Sequence, residues 1–531
     1  MNDEATDYPS PDVRTIAAAA IWAEQQYGAR PALVEAGRSL SFTDYVAYAK
    51  RVARGLMAAG VKPGDRVAIW APNSIEFAVS VLAIHLSGAA LVPVNTRYTA
   101  REAADILDRS GAVLVFTVDR FLERSYAEEL RSLHRDSAEL LPHLPRIVGI
   151  DEPDSLDLQA FLAAGRSESE LDLEQRISGI TPEDIATVLF TSGTTGQPKG
   201  AMLRHGALLR AYWTWGALLG VRPGDRVLLS NPFFHAFGLK VGLLLSLVHG
   251  VAAYPMPVFD AEAALDTIER ERISFYPAPP TVFQALLAHP SLPSRDLASL
   301  RIAVTGATSI PPQLIHDMYD VLGFDEVFSP YGFTEGTGVA TLTRQGDDRD
   351  TVATTAGRAV PGVEVAVLDG DGNPVAAGET GEIALHGYNL MAGYLGKDEA
   401  FLDERGYLRS GDLGVLDDRG YLRVTGRIKD MYIVGGFNVS PAEVEAVLQA
   451  HPAVQAAAVT GVPDERLGEV GLACVVRRPA AEVTQAELDE WCRGRLANFK
   501  RPRSIRFVDS LPLNASGKVM KDQLAALAVT A

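Results

Sequence analysis

The sequence predicts an α/β protein: a large N-terminal domain of parallel α/β sheets with a β-rich subdomain, followed by a small α+β C-terminal domain. In the first third, short apolar segments alternate with amphipathic ones, a rhythm typical of parallel sheets covered by helices. From about residue 363 the apolar segments are shorter and are separated by Gly, Asp and Asn, which favours tight hairpins. The length of 531 residues exceeds what one core usually accommodates, so we expect at least two domains.

The alternation in the first third can be followed element by element. Ser41 is a typical N-cap, and the amphipathic segment behind it predicts a helix that ends at Gly60. A strand, a helix, a strand, a helix and a strand are then predicted, in that order, at residues 66–72, 77–84, 89–95, 100–110 and 112–118. A polar stretch at about 166–183 is interpreted as the separator before the next strand, at 186–190.

The end of the chain forms a predicted unit of its own. Residues 440–443 and 484–487 have the spacing of helix capping boxes, and Pro441 stands at the first helical position of the first one. Strand-like segments lie between and after these helices. We place the domain boundary near residues 426–430. The predicted domains are therefore residues 1–426 and 427–531.

Charge and cysteine usage exclude several classes of protein. A net charge of -18 and a pI near 5.1 argue against a nucleic-acid partner, which usually requires a basic surface. The two cysteines, Cys474 and Cys492, provide neither a disulfide framework nor metal-ligand spacing. The acidic N-terminus does not resemble a signal peptide, and the longest apolar run, at 241–248, is too short to span a bilayer. We therefore expect a cytoplasmic protein without stable membrane insertion.

The strongest chemical signal is the glycine-rich segment TSGTTGQPKG at residues 191–200. Its glycines allow backbone N–H groups to point into one concavity, its hydroxyls add donors, and Lys199 adds a positive charge, so polyphosphate is its natural ligand. A flexible surface loop is the plainer interpretation, but the strand predicted before the segment and the helix predicted after it favour a phosphate site. The candidate phosphate-binding residues are Thr191, Ser192, Gly193, Thr194, Thr195 and Lys199.

This segment is similar to the signature loop of the acyl-adenylate-forming superfamily, which includes acyl-CoA synthetases, peptide-synthetase adenylation domains and luciferases. Nearly the whole chain follows the pattern of that superfamily, with YGFTE at 331–335, SGD at 410–412, GRIKD at 426–430, GGFNV at 435–439 and PLNASGK at 512–518. The resemblance implies an AMP-forming acyl-CoA ligase that uses ATP, Mg²⁺ and coenzyme A with a carboxylic acid. It also implies that the small C-terminal domain is mobile.

The resemblance implies that the nucleotide site is built from several motifs. Mg²⁺ is expected on Glu335, because a carboxylate beside a phosphate loop suits that ion. Asp412 is implied to accept the ribose hydroxyls with help from Arg427, and Tyr331 to stack on adenine. A helix-terminal carboxylate, a turn aspartate, a surface arginine and a core tyrosine are the plainer interpretations. Further residues implied at the nucleotide are Gly306, Ala307, Gly332 and Thr334.

The resemblance also implies a reaction in two steps. Lys518 is implied to reach the α-phosphate during adenylation, where negative charge develops. Lys429 occupies the hinge about which the small domain rotates before the thiol attacks. Gly435 and Gly436 are implied to let the pantetheine arm pass close to the backbone. The implied catalytic residues are Lys518, Glu335, Thr191 and Lys199.

The segment NPFFHAFG at 231–238 is similar to the aromatic segment that borders the acyl channel in this superfamily. Phe234, His235 and Gly238 are implied to line the acyl pocket, with His235 as a gate and not as a base. A histidine packed in the core is the plainer interpretation of His235.

The acid itself is less tightly predicted than the reaction. Several stretches look closest to actinobacterial FadD-type ligases for the bicyclic propanoate left after steroid ring degradation. A terpenoid-derived polycyclic propanoate and a medium- or long-chain fatty acid stay open as substrates. A stand-alone adenylation enzyme that loads a carrier protein, and a ligase that retains one half-reaction, stay open as functions. A homodimer is expected by analogy alone.

Overall fold

The structure, a computed structural model, describes residues 8–191, 198–306, 310–479, 481–513 and 519–527. A π-helical segment, Phe237–Leu244, runs directly into one of the α-helices. The α-helices of the described ranges are α1 (Ile16–Tyr27), α2 (Phe42–Ala58), α3 (Ile75–Leu86), α4 (Ala100–Ser110), α5 (Tyr126–Asp136), α6 (Leu156–Ala164), α7 (Glu170–Gly179), α8 (His205–Leu219), α9 (Leu245–His249), α10 (Ala261–Glu271), α11 (Pro280–Leu287), α12 (Pro312–Asp320), α13 (Arg349–Thr354), α14 (Pro441–Gln449), α15 (Gln485–Arg493) and α16 (Lys521–Leu527).

The strands alternate with these helices in the first two thirds of the chain and follow one another directly in the β-rich part. They are β1 (Pro31–Glu35), β2 (Arg38–Ser41), β3 (Arg66–Trp70), β4 (Ala90–Pro93), β5 (Ala112–Thr117), β6 (Arg146–Gly149), β7 (Ile185–Thr191), β8 (Lys199–Arg204), β9 (Arg226–Leu229), β10 (Ala252–Pro255), β11 (Phe275–Pro277), β12 (Ile302–Val304), β13 (Glu326–Phe328), β14 (Pro330–Tyr331), β15 (Thr341–Leu342), β16 (Arg358–Ala359), β17 (Val363–Leu368), β18 (Thr380–Gly387), β19 (Gly393–Tyr394), β20 (Leu408–Leu416), β21 (Leu422–Arg427), β22 (Tyr432–Val434), β23 (Phe437–Val439), β24 (Val454–Asp464), β25 (Gly468–Arg477) and β26 (Ser504–Phe507).

Two seven-stranded sheets form the body of the N-terminal part, in the orders β13-β12-β11-β9-β10-β1-β2 and β19-β8-β7-β4-β3-β5-β6. Most neighbours are parallel, as the alternation of strands and helices predicts. Antiparallel pairs occur at one end of each sheet: β2 joins β1, and β8 lies between β7 and β19. The helices of the first third pack with these sheets in one continuous apolar core.

The helix predicted behind Ser41 is α2, and its N-terminus has a complete capping box. The Ser41 hydroxyl accepts from the Asp44 N–H at 3.0 Å, and the Asp44 carboxylate accepts from the Ser41 N–H at 3.2 Å. Because a cap satisfies backbone donors that the helix leaves unpaired, the chain turns into the helix at this residue. The other elements predicted in this part are α3, α4, β3, β4 and β5.

The polar stretch at 166–183 is not an open separator, because it contains α7. The Ser169 hydroxyl caps this helix by accepting from the Asp172 N–H at 3.0 Å. Leu173 is buried, and Arg176 donates to the Val61 carbonyl at 2.7 Å. One cap and two tertiary contacts therefore hold a helix that the polar composition alone does not predict.

The hairpin-rich region predicted from residue 363 is confirmed. β17, β18, β20 and β21 form one antiparallel sheet, and β14, β15 and β16 form a smaller antiparallel sheet beside it. The last strand of this region ends at Arg427, and the next sheet begins at Tyr432. That next sheet has the order β23-β22-β25-β24, with β26 parallel to β25, and it packs on α14 and α15 around a separate apolar core.

The second predicted capping box is present and the first is not. At α15 the Thr484 hydroxyl accepts from the Glu487 N–H at 3.2 Å, and the carboxylate accepts from the Thr484 N–H at 2.8 Å. At α14 the Ser440 side chain makes no cap and instead donates to the Thr425 carbonyl. A tertiary contact to the end of β21 thus competes successfully for the hydroxyl.

The described ranges contain no helix whose length and apolar character would let it cross a membrane. Both cysteines are free and buried.

Two loop glycines with nearly the same φ allow a matched stability test. Gly357 has φ +74° and Gly346 has φ +79°. A Cβ at Gly357 would lie 1.8 Å from the Leu342 carbonyl carbon, whereas a Cβ at Gly346 meets nothing within 4 Å. The left-handed backbone costs both alanine variants about 1–2 kcal/mol, and overpacking adds about 1–3 kcal/mol at Gly357 alone. We therefore expect Gly357→Ala to lower the apparent melting temperature clearly more than Gly346→Ala. Equal shifts in thermal unfolding followed by circular dichroism would contradict the packing argument.

Candidate active site

Three of the candidate segments lie along one edge of the first seven-stranded sheet. The segment 231–238 follows β9, Gly306 follows β12, and Tyr331 follows β13 within a few residues. Because these strands are parallel members of one sheet, their carboxyl ends meet at the same edge. Ligands of open α/β sheets usually bind at such an edge.

The phosphate loop connects the two strands of a hairpin. β7 and β8 are antiparallel, with Thr191 opposite Lys199. The helix predicted directly after the loop is therefore wrong: β8 follows, and α8 begins only at His205. β8 is stabilised as a strand because it pairs on both sides, with β7 and with β19. The packing at Gly200 is tight, since a Cβ there would lie 3.0 Å from Val188.

Glu335 receives hydrogen bonds from two hydroxyl groups that come from different strands. The Thr191 hydroxyl at the end of β7 lies 3.2 Å from Glu335 Oε1, and the Tyr394 hydroxyl on β19 lies 3.0 Å from the same oxygen. Burial, and then the charge of Glu335, raise the pKa of Tyr394 well above its ordinary value, so this hydroxyl stays a donor. Lys199 Nζ lies 5.2 Å from the centre of the Tyr394 ring. The predicted phosphate and metal residues thus meet around Tyr394.

The surroundings of Glu335 fit a magnesium ion that is shared with a nucleotide. The described residues contain no group of three His, Cys, Asp or Glu side chains that could hold a metal. Mg²⁺ usually takes one or two protein carboxylates and completes its octahedron with phosphate oxygens and water. A single carboxylate beside the phosphate hairpin fits that donor set, and it does not fit a metal bound by protein alone.

Asp412, Tyr331 and Arg427 form one hydrogen-bonded group. The Tyr331 hydroxyl donates to Asp412 Oδ2 at 2.7 Å, and Arg427 Nε lies 2.8 Å from Asp412 Oδ1. Burial, and then the charge of Asp412, raise the pKa of Tyr331 well above its ordinary value. Asp412 is buried, while the Arg427 side chain is 44% exposed. Both carboxylate oxygens are therefore oriented, one by Tyr331 and one by Arg427 at the end of β21.

Close backbone packing explains the glycines near this group. A Cβ at Gly332 would lie 2.4 Å from the Gly338 carbonyl oxygen, so the loop that carries Thr334 and Glu335 closes on itself only with glycine there. Gly306 is buried, and a Cβ there would lie 3.3 Å from the Pro330 ring. Thr334 begins the single 3₁₀ turn that contains Glu335.

The aromatic segment 231–238 is fixed by a buried asparagine that sequence reasoning missed. Asn73 Nδ2 donates to the Asn231 carbonyl at 2.8 Å, and its Oδ1 accepts from the Phe233 N–H at 2.7 Å. Phe234 and His235 are half-buried. Gly238 has a packing reason of its own, because a Cβ there would lie 2.3 Å from the Pro232 carbonyl oxygen.

A buried lysine lies between this segment and the loop of Glu335. Lys240 is 1% exposed, and its Nζ donates to the Thr337 carbonyl at 3.0 Å. The Tyr212 hydroxyl donates to the same carbonyl at 3.1 Å. Burial lowers the pKa of Lys240 to about 7.

The residues implied at the hinge and at the thiol passage lie at the surface. Lys429 is exposed in the single turn Ile428–Asp430 that links β21 to β22. Gly435 and Gly436 form the turn of the β22–β23 hairpin with φ +56° and +88°, as a two-residue hairpin turn requires. A Cβ at Gly436 meets nothing within 4 Å, whereas one at Gly435 would lie 3.3 Å from Leu467, so the turn is open on the side of Gly436.

Several predicted residues carry no structural account, because they lie outside the described ranges. They are Ser192, Gly193, Thr194, Thr195, Ala307 and Lys518.

Comparison with protein families identifies the chain. Residues 20–395 match the AMP-binding enzyme family, and residues 443–518 match the AMP-binding enzyme C-terminal domain. The chain belongs to the AMP-binding enzyme family. The first match contains the hairpin of Thr191 and Lys199 together with Glu335, and the second contains Lys518. The predicted superfamily is thereby confirmed.

Two curated relatives of this AMP-binding enzyme cover almost its full length. A protein of Mycobacterium tuberculosis named 3-[(3aS,4S,7aS)-7a-methyl-1,5-dioxo-octahydro-1H-inden-4-yl]propanoyl:CoA ligase is 45% identical and aligns with 97% of this chain and 99% of its own. A protein of the same name from Rhodococcus jostii is 42% identical, over 94% of this chain and 96% of its own.

Solved structures agree with the fold. ATP-bound MatB from Rhodopseudomonas palustris is 30% identical, with a TM-score of 0.85 over 96% of this chain and 98% of its own. The anthranilate CoA ligase AuaEII in complex with anthranoyl-AMP is 28% identical, with a TM-score of 0.87 over 99% of both chains. The AMP-binding enzyme is thus an acyl-CoA ligase of α/β fold, and the prediction of ATP, Mg²⁺ and CoA is confirmed for enzymes of this kind.

Three residues of the site were missed by sequence reasoning, namely Tyr394, Asn73 and Lys240. A tyrosine or an asparagine in a polar context carries no chemical signal of its own. Lys240 did leave one, because it is a lone charge directly before the longest apolar run. Charged side chains are rarely buried without a partner, so a lysine in this context indicates a buried polar contact.

The contact between Tyr394 and Glu335 predicts an effect on adenylation. We expect Tyr394→Phe to lower the rate of acyl-adenylate formation by about 10- to 100-fold, because a hydrogen bond to a charged group contributes about 1.5–3 kcal/mol. Pyrophosphate exchange measures this half-reaction.

The matched control is Tyr407→Phe. Tyr407 also donates to a glutamate, Glu364, but on the exposed face of the β-rich sheet. We expect its exchange rate to stay at the wild-type level. Equal losses in both variants would show that the Tyr394 hydroxyl has no particular role at Glu335.

Proposed function

We propose that this acyl-CoA ligase activates a polycyclic propanoate, a ring ketone of steroid or terpenoid origin with a propanoate side chain. Two curated relatives named for a bicyclic dioxo propanoate support this substrate class, at 45% and 42% identity over nearly the whole chain. The observation that supports adenylation best is the meeting of Thr191 and Tyr394 on Glu335, beside Lys199.

The first step of the reaction is needed to give the carboxylate a good leaving group. A free carboxylate resists attack by a thiol, because oxide is a poor leaving group. In the first step the carboxylate oxygen attacks the α-phosphorus of ATP, and pyrophosphate leaves with the electrons of the broken P–O bond. Lys199 would bind the β- and γ-phosphate oxygens, and Glu335 would hold Mg²⁺. A bound magnesium ion would supply positive charge that offsets the charge of the phosphates.

The rest of the nucleotide would be oriented by Asp412 and its two partners. The Asp412 oxygens already accept from Tyr331 and Arg427, so the carboxylate faces a fixed direction. A carboxylate oxygen has room for more than one donor, and the ribose hydroxyls would share these oxygens. The Tyr331 ring would then lie along the adenine base.

The second step would need a different arrangement of the C-terminal unit. We infer domains of 1–426 and 427–531, since the matched family regions lie on the two sides of this boundary. Lys518 would serve adenylation and would then leave as the unit turns about Lys429. The turn of Gly435 and Gly436, with its open surface, would admit the pantetheine arm to the acyl carbonyl.

Pyrophosphate exchange with a panel of acids tests the substrate. We expect kcat/KM for a bicyclic keto-propanoate to exceed that for octanoate, palmitate and benzoate by at least about tenfold, which corresponds to about 1.4 kcal/mol. A higher kcat/KM for either fatty acid would reject the polycyclic class and favour the fatty-acid alternative.

The acceptor is tested with the same acid. Thioester formation with CoA, measured against a carrier protein that bears pantetheine, separates a CoA ligase from a carrier-loading enzyme. Pyrophosphate exchange without thioester formation on either acceptor would indicate that only the first half-reaction is retained.

The role of Lys518 is tested by measuring the two half-reactions separately. We expect Lys518→Ala to lower acyl-adenylate formation by about 10²–10³-fold, the usual effect of removing one donor that stabilises developing charge. Thioester formation from supplied acyl-AMP should change little. Lys521→Ala is the control, because Lys521 pairs with Glu445 at 2.9 Å, and both halves should stay unchanged. Equal loss of both half-reactions in Lys518→Ala would refute the assigned role.

A further inference from the structure

Arg109 connects a distant helix to the β7–β8 hairpin that carries the phosphate loop. It lies in the last turn of α4, and its Nη2 donates to the Pro198 carbonyl at 2.6 Å. Its guanidinium carbon also lies 5.5 Å from the centre of the Phe190 ring, within the range of an attractive cation–π contact. One side chain, 89 positions before Pro198 in the sequence, therefore contacts the chain on both sides of the phosphate loop.

These two contacts lie directly next to the residues proposed to serve the phosphates and the metal. Thr191 follows Phe190, and Lys199 follows Pro198. Proline has no backbone N–H, so its carbonyl is the only backbone group through which a hydrogen bond can hold it. A hydrogen bond from a charged donor is stronger than one between neutral groups. Arg109 therefore fixes the chain one residue before Lys199 by a charge-assisted bond.

The guanidinium is oriented by a residue of its own helix. Arg109 Nη1 donates to Asp105 Oδ2 at 3.0 Å, one turn earlier in α4. A partly exposed ion pair of this kind adds little stability, but the rigid fork of arginine lets one nitrogen bind the carboxylate while the other binds the carbonyl. The Phe190 ring in turn packs against β8, since a Cβ at Gly200 would lie 3.2 Å from it. The pair with Asp105 thus aims the second nitrogen at the hairpin.

We propose that Arg109 is a positioning residue for ATP, which fixes Pro198 and Phe190 and so keeps Lys199 and Thr191 where the β- and γ-phosphates and Mg²⁺ bind. This inference rests on the phosphate role proposed above for the hairpin. Arg109 acts through the backbone and the ring, not by contact with the nucleotide. Binding to a segment that is already ordered costs less free energy than binding to one that must first be ordered. Loss of Arg109 should therefore weaken the binding of ATP through its terminal phosphates.

A role limited to α4 is the competing explanation. A cation in the last turn of a helix interacts favourably with the helix dipole, and a pair with an acidic residue four positions earlier stabilises the helix slightly. Either effect would make Arg109 a stability residue without influence on the nucleotide. A comparison of ATP with AMP separates the two roles, because AMP shares the adenosine and the α-phosphate and lacks the β- and γ-phosphates.

The experiment measures the Kd of MgATP and of AMP by isothermal titration calorimetry, without any acid, for wild type and Arg109→Met. We expect the variant to raise the Kd of MgATP about tenfold, which corresponds to about 1.4 kcal/mol, because the charge-assisted bond to Pro198 is lost. The Kd of AMP should stay within about twofold of wild type, or about 0.4 kcal/mol.

The matched control is Arg226→Met. Arg226 Nη1 also donates to a distant backbone carbonyl at 2.6 Å, that of Glu271. It is the first residue of β9, whereas the candidate segment 231–238 follows the other end of that strand. We expect this variant to bind both nucleotides as wild type does. A rise in the Kd of MgATP as large as that of Arg109→Met would contradict the inference, because any lost arginine contact would then have the same effect.

The remaining outcomes separate the inference from the function on which it rests. An equal rise for MgATP and AMP in Arg109→Met, or no change for either, would reject the positioning role. Arg109→Gln provides the same comparison if circular dichroism shows that the methionine variant does not fold. An unchanged Kd of MgATP in Lys199→Met would remove the hairpin from the phosphate site and overturn proposal and inference together. A rise in Lys199→Met with none in Arg109→Met would overturn the inference alone.

Discussion

Two hydroxyl groups that converge on one carboxylate align the parts of this active site. Thr191 ends a strand of one large sheet, Tyr394 lies on the edge strand of the same sheet, and Glu335 belongs to the loop after a strand of the other sheet. The Met391 N–H also donates to the Glu335 carbonyl at 2.8 Å. Because these donors fix both the backbone and the side chain of Glu335, the β7–β8 hairpin and the loop of Glu335 keep one distance from each other. A preorganised carboxylate of this kind needs no reorganisation when charge develops during the reaction.

Buried polar side chains fix the neighbouring segments in a similar way, by hydrogen bonds to their backbone. Asn73 holds the aromatic segment through its amide, and Lys240 and Tyr212 hold the Thr337 carbonyl. Irregular backbone inside a protein must find partners for its N–H and C=O groups, or it costs free energy. The site is made of such irregular segments, so polar residues that take no part in the chemistry decide where the reacting groups lie.

The contact directly before the proposed hinge is of a different kind. Arg427 pairs with Asp412 at the end of β21, but its side chain is 44% exposed. Arg427 lies opposite Asp412 in the β20–β21 ladder, so this contact belongs to the β-rich sheet and does not tie the C-terminal unit to it. The single turn with the exposed Lys429 follows immediately. A proposed rotation between two half-reactions requires such a short connection, since each arrangement must be left in every cycle.

The sequence by itself determined the α/β class, the hairpin-rich region and the capped helices behind Ser41 and Thr484, because hydrophobic period, turn residues and local caps act over a few neighbouring residues. It also pointed to Thr191, Lys199, Glu335, Tyr331 and Asp412, because these stand in motifs. The strand after the phosphate loop, the hydroxyl of Ser440 and the roles of Tyr394, Asn73 and Lys240 were decided only by the tertiary structure. In each of these cases the deciding partner lies far away in the chain, on a paired strand or a facing loop, and a contact of that kind leaves no local pattern to read.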